Sequence, residues 1–213
     1  MIKTILILVI LSLISLVCPM VSNSNKTLSQ ATYSLSNRYS NSYVNDVFSD
    51  NILLTIAYMG GRVKKGEKIS WDTIKTPSVN KLILNPGQTF AFHDTALQKY
   101  KNKIATTTNA HFISSEGFKS DGRLVGDGVC HLASFMYVVS KKAGLIVEAP
   151  IRHDFAKIAD VPKQDGVSVF YSQKNPYTSA LQNLYITNNR KKPIAFVFTH
   201  KDKDLNIKVE QFN

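Results

Sequence analysis

The chain has 213 residues, 44% of them hydrophobic and 19% charged, which suits one ordinary domain with an extension and excludes a disordered polypeptide. Twenty-six lysines and arginines against 15 acids give a net charge of +11, so anionic partners are favoured. The aromatics do not interleave with the basic residues as a base-stacking surface requires, which argues against nucleic acid; for an exported protein the anionic partners would be wall polymers or a membrane surface.

The amino terminus carries one early charge, Lys3, then an uncharged run from Ile5 to Val17, then Cys18, Pro19 and small polar residues. This is the grammar of a secretory signal over residues 1–24, and it predicts an exported protein of the cell envelope or the extracellular space. The apolar run falls short of the roughly 20 residues of a spanning helix. Cleavage is therefore the expectation, with an uncleaved anchor as the alternative. Leu16 and Val17 argue against lipid attachment at Cys18, because a lipobox has small residues there. Cleavage removes Cys18 and leaves Cys130 alone in a compartment where thiols tend to pair. Such a thiol is either buried or kept for chemistry.

Residues 25–43, rich in Ser, Asn and Thr, read as a polar spacer, and residues 44–213 as the domain. Val44, Val47, Phe48, Ile52, Leu53, Ile56 and Met59 recur at helical spacing, and Gly60-Gly61 ends the run. From Arg62 to Lys81 loops surround a short helix that Trp71 and Ile74 pin to the core. Leu82 to Leu84, a Pro86-Gly87 turn and the run from Thr89 to Asp94 predict a half-buried strand bearing Phe90 and Phe92. Lys99 to Leu124 is a long functional loop or an irregular strand. Gly126-Asp127-Gly128-Val129-Cys130 then opens an apolar helix that Gly144 stops. Strands follow at 145–151 and 167–171, and segments 183–187, 193–199 and 205–209 form a carboxyl-terminal β-meander. The fold class is α+β, with a central buried helix that starts with the cysteine and packs on a mainly antiparallel sheet.

The chemistry concentrates at Cys130. A thiol at a helix amino terminus faces unpaired amides and the positive end of the dipole. Gly126 and Gly128 would let a substrate carbonyl approach an oxyanion hole of backbone amides. Asp127 works the other way, raising the thiol pKa unless its side chain caps the helix. His153, after the next strand, is the candidate base. Asp154 points to the opposite strand face, so Asp160 or Asp165 is the candidate orienting acid. The order of cysteine on a helix, then histidine, then acid is similar to papain-like and transglutaminase-like layouts. His93, His111 and His131 are candidate site-lining residues. Three of the four histidines with Cys130 could hold zinc, but no tight metal spacing is present, so no metal and no cofactor is expected. His200 reads as a surface residue.

Two motifs carry a resemblance. Leu84-Asn85-Pro86-Gly87-Gln88-Thr89-Phe90-Ala91-Phe92, followed by Gly126-Asp127-Gly128-Val129-Cys130-His131-Leu132-Ala133-Ser134, resembles the VanW family across Leu82 to Phe198. That family carries Pro-Gly-Glu-x-Phe-Ser-Phe-Asn and Gly-Gly-Gly-Ile-Cys-Gln-x-Ser. This chain departs from it at His93 for Asn, Asp127 for Gly and His131 for Gln. The resemblance implies a bacterial envelope protein of the kind associated with glycopeptide-resistance clusters. Three readings follow: a Cys-His enzyme acting on acyl or amide bonds of peptidoglycan peptides, a non-catalytic module binding peptidoglycan or anionic wall polymer, and a zinc-binding protein.

Overall fold

Alternation of apolar and polar residues at the carboxyl end builds the larger of two sheets. In the computed structural model, which describes residues 25–213, β7 (Ile194–Lys201) and β8 (Asp204–Gln211) form a hairpin. β1 (Lys26–Ser34) pairs antiparallel on the far side of β8, and β2 (Ser78–Leu84) on the far side of β7, giving the order β1-β8-β7-β2. Leu205, Ile207 and Val209 of β8 and Leu82 and Leu84 of β2 turn into the core, as period-two alternation dictates. The predicted signal segment, 1–24, lies outside the described residues. None of the helices described is long and apolar enough to cross a membrane.

The predicted spacer is corrected here, because Lys26–Ser34 is an edge strand of the main sheet and not a tether. Tyr33 stacks on Phe135 at 3.9 Å and the Ser29 hydroxyl donates to the Val139 carbonyl, so β1 belongs to the domain. The carboxyl-terminal strands are also divided between sheets. β6 (Tyr185–Thr187) pairs with β3 (Thr89–Ala91) and β5 (Ile146–Glu148) in a second sheet of order β4-β3-β6-β5, whose β4 (Ile104–Thr106) runs parallel to β3. The α+β class with a mainly antiparallel sheet holds.

Helix α1 (Ser42–Met59) begins at Asn41, whose side chain accepts the Val44 amide, and ends at Gly60. Every residue from 50 to 59 is buried, so polar Asp50, Asn51 and Thr55 require internal partners. A short α2 (Trp71–Lys75) follows, with Ile74 buried and Trp71 under the Lys119 ammonium at 4.1 Å. Helix α3 (Val129–Lys142) lies against β1, β8, β5 and α1. Of its residues 129–140 only Cys130 keeps partial exposure, as an all-round apolar sequence requires of a central helix. Lys141 and Lys142 sit favourably in its last turn. The predicted strand at 167–171 is irregular instead, touching its neighbours through single bonds such as Ser168 N–H to the Ile151 carbonyl. A six-residue α4 (Pro176–Leu181) precedes β6.

Candidate functional site

The turn leading into α3 is assembled by backbone contacts with α1. Asn51 donates to the Lys119 and Asp127 carbonyls at 3.0 and 2.9 Å and accepts the Lys119 amide at 2.9 Å. The sequence shows Asn51 as no more than a polar gap in an apolar helix. Replacing it with leucine leaves an amide and a buried carbonyl without partners, and a loss of about 2–3 kcal/mol in urea unfolding is expected.

Gly126 and Gly128 adopt left-handed φ values of +86 and +96. The space their missing side chains leave is filled by protein. A Cβ on Gly128 would lie 2.4 Å from the Phe48 carbonyl oxygen, and one on Gly126 would lie 3.0 Å from that of Phe112. The glycines therefore let α1 and the 112 loop approach the turn. The expectation that they open a path for a substrate carbonyl is corrected by this packing.

Cys130 is part-buried, and its sulfur accepts the Val169 amide at 3.4 Å and faces the Val169 carbonyl at 3.5 Å. One turn on, Ser134 donates to the Cys130 carbonyl and accepts the Val167 amide, so the two side chains staple segment 167–169 to α3. Burial, with a further push from the Asp127 charge, raises the thiol to about 11. Asp127 does not cap the helix, whose N-cap is Gly128. Burial and the facing Asp121 carboxylate raise Asp127 itself to about 6.

No histidine hydrogen-bonds the sulfur among the described residues. His153 is buried, lies tilted against Phe155 at 4.0 Å and meets the His131 ring edge-on at 6.4 Å. Its Nδ1 has no hydrogen-bond partner, and burial lowers its pKa. Asp160 is not brought to His153: it pairs with the buried Arg38 at 2.6 Å. Asp165 pairs with Lys141 at 2.7 Å. His131 is buried between Phe48 and Phe135, and desolvation depresses it to about 3. His93 is wholly buried, with Nε2 on the Gln182 carbonyl at 3.2 Å and Nδ1 beside the Asn183 amide at 3.4 Å. Burial holds it near 4. His200 is buried against the carbonyls of Thr76 and Asp202, which corrects its reading as a surface residue. No group of three His, Cys, Asp or Glu side chains among the described residues is placed to hold a metal ion.

Among the described residues, His111 is the histidine whose ring nitrogens meet charged side chains. Its Nε2 lies 2.9 and 3.1 Å from the two Asp94 oxygens, and its Nδ1 lies 3.3 Å from the Lys65 ammonium and 3.6 Å from Glu116. The ring stacks flat on Tyr171 at 3.8 Å. Glu116 is buried and accepts the amides of His111 and Phe112 at 2.6 and 3.0 Å. Of these residues the sequence singles out His111 alone, because contacts between loops leave no periodic signal.

The fold and this stapled helix entrance define a class: an α+β domain in which a cysteine helix is clasped between two sheets. The chain belongs to the VanW family, whose model, described as VanW like protein, matches residues 73–210. No curated protein and no solved structure matches it.

Proposed function

We propose that this VanW-like protein is an exported envelope module that adheres to peptidoglycan or anionic wall polymer without thiol chemistry. The observation that carries the reading is the engagement of the Cys130 sulfur by the Val169 peptide group, with the thiol pushed up to about 11 and no imidazole bonded to it. A cysteine nucleophile needs the opposite: a depressed pKa and a base in reach. Lys101 with Lys103, Lys191 with Lys192, and Lys201 with Lys203 are exposed in pairs, giving an anionic polymer points of attachment over much of the surface.

The Cys-His hydrolase or transferase reading ranks second, since it requires the 167–169 segment to leave the sulfur and His153 to take its place. At pH 7.5 the Cys130 thiol is expected to react with iodoacetamide about a hundredfold more slowly than an ordinary cysteine, because two pKa units remove that fraction of thiolate. Retention on purified cell wall should be unchanged by Cys130→Ala and should fall as salt rises from about 50 to about 500 mM. Alkylation at the rate of a free thiol, or loss of wall retention in Cys130→Ala, would return the enzyme reading to first place.

A further inference from the structure

Two depressions lie side by side on the surface and share Asp94 as a common wall. The first, of about 380 Å³, is lined by Lys64, Lys65, Thr107 and Asn109. The second, of about 560 Å³, is more apolar, lined by Ala96, Leu97, Pro176 and Tyr177 together with Lys101. Both volumes fall in the range of small-ligand sites.

Asp94 is a positioned group. Its side chain is 58% exposed while that of His111 behind it is 15% exposed, so the carboxylate faces outward and the imidazole backs it. His111 is in turn held by the Tyr171 ring, Lys65 and buried Glu116. The loop that presents His111 carries left-handed φ values at two non-glycine residues, Asn109 at +61 and Phe112 at +64. Such conformations cost about 1–3 kcal/mol each and persist only where surrounding contacts impose them. Here the Glu116 carboxylate binds the Phe112 amide and Thr107 binds the Asn109 amide. Burial works to raise the Asp94 pKa, but the His111 bond and the Lys65 charge outweigh it and keep the carboxylate ionised. Asp94 is therefore suited to anchor a cation and not to donate a proton.

Lys64 and Lys101, exposed in the two lobes, form no salt bridge among the described residues. A simple anion would meet Asp94 and a simple cation would meet the lysines, whereas a ligand carrying both charges finds a partner for each. We propose that this two-lobed groove binds a short peptide carrying both a free ammonium and a free carboxylate. The ammonium sits on Asp94, the carboxylate on the flanking lysines, and an apolar side chain in the Leu97–Tyr177 lobe. The proposal does not rest on wall adhesion, which needs only dispersed surface charge.

Titrating the isotope-labelled protein with the tripeptide Ala-Leu-Lys, followed by amide chemical shifts, tests it. Saturable shifts at Thr95, Leu97, Thr107 and Asn109 are expected at millimolar peptide. Acetylating both amines should weaken binding by roughly tenfold or more, and Asp94→Asn should do the same while core resonances stay in place. Lys64→Gln provides a second handle, weakening the free peptide more than its carboxyl-terminal amide. Equal affinity for the acetylated peptide, wild-type affinity in Asp94→Asn, or stronger shifts of these amides by glycerol phosphate would overturn the proposal. So would no saturation up to about 20 mM, beyond any useful affinity. Wall retention that survives Asp94→Asn while tripeptide binding is lost would separate the groove from the adhesive surface.

Discussion

Lowering the pH from 7 to 5 is expected to remove about 3 kcal/mol of folding free energy, read as a fall in the urea midpoint with an unchanged slope. The cause is buried imidazoles, chiefly His93 and His131, with His153, also lowered by burial, acting in the same direction. His93 and His131 have folded pKa values near 4 and 3, both lowered by burial from an ordinary 6.5. A depressed folded pKa means that the stabilising contribution is complete above the unfolded value. It is lost as pH falls from about 6.5 toward the folded value, because only the unfolded chain takes up the proton. At pH 5 each histidine costs about 2 kcal/mol on this reckoning. Asp127 works in the opposite sense. Its carboxyl is raised to about 6, so the folded state gains as acid protonates it, by about 1 kcal/mol once its partial exposure to solvent is discounted. The carboxylates of Asp94, Glu148 and Glu210 are lowered and lose their contribution only below the ordinary carboxylate range, outside this window. His131→Gln should flatten the dependence by about 2 kcal/mol, and a urea midpoint that does not move between pH 7 and 5 would contradict the account.

What could be read from the sequence follows from what each element depends on. Helix α1 announces itself because Val47, Phe48, Ile52, Ile56 and Met59 recur at helical spacing and glycines close the run. Helix α3 does so because an uninterrupted apolar run of that length has no other stable form. Strand β1 is hidden for a physical reason: an edge strand buries little, and the β8 residue Asn206, whose side chain donates to the Ala31 carbonyl, lies 175 residues further on. The segment 167–171 has strand composition, but its amides are divided among Ser134, Ile151, Cys130 and Gln182, so no ladder forms. At the site, the position of Cys130 was legible and its state was not. Proximity to a helix amino terminus predicts a poised thiol, yet the decisive partner is a peptide group from a segment 39 residues on. The sequence points to His111 as lining a site, but not to Asp94, Lys65, Glu116 or Tyr171, because the two left-handed residues that bring the loop round carry no distinctive letters.

The largest single-residue effect is expected at Gly128→Ala, with a loss of about 2–5 kcal/mol. Two terms combine there. The first is the left-handed backbone, φ +96, which costs an L-residue about 1–2 kcal/mol. The second is steric. The new Cβ would lie 2.4 Å from the Phe48 carbonyl oxygen and 2.8 Å from its Cα, and neither can swing aside as a flexible side chain would. Relief requires α1 and the start of α3 to move apart, at about 1–3 kcal/mol for an overpacked core contact. That movement also stretches the Asn51 bond to the Asp127 carbonyl and loosens the turn ahead of Cys130. Gly66→Ala isolates the first term, since Gly66 has φ +84 with no atom within 4 Å of the added carbon, and it should lose only about 1 kcal/mol. Equal losses in the two variants would mean that the α1–α3 approach at Phe48 is looser than its geometry states. A loosened turn has a chemical signature as well: Cys130 in Gly128→Ala should alkylate faster than in the parent chain, because opening the helix entrance frees the sulfur from Val169 before the rest of the domain unfolds.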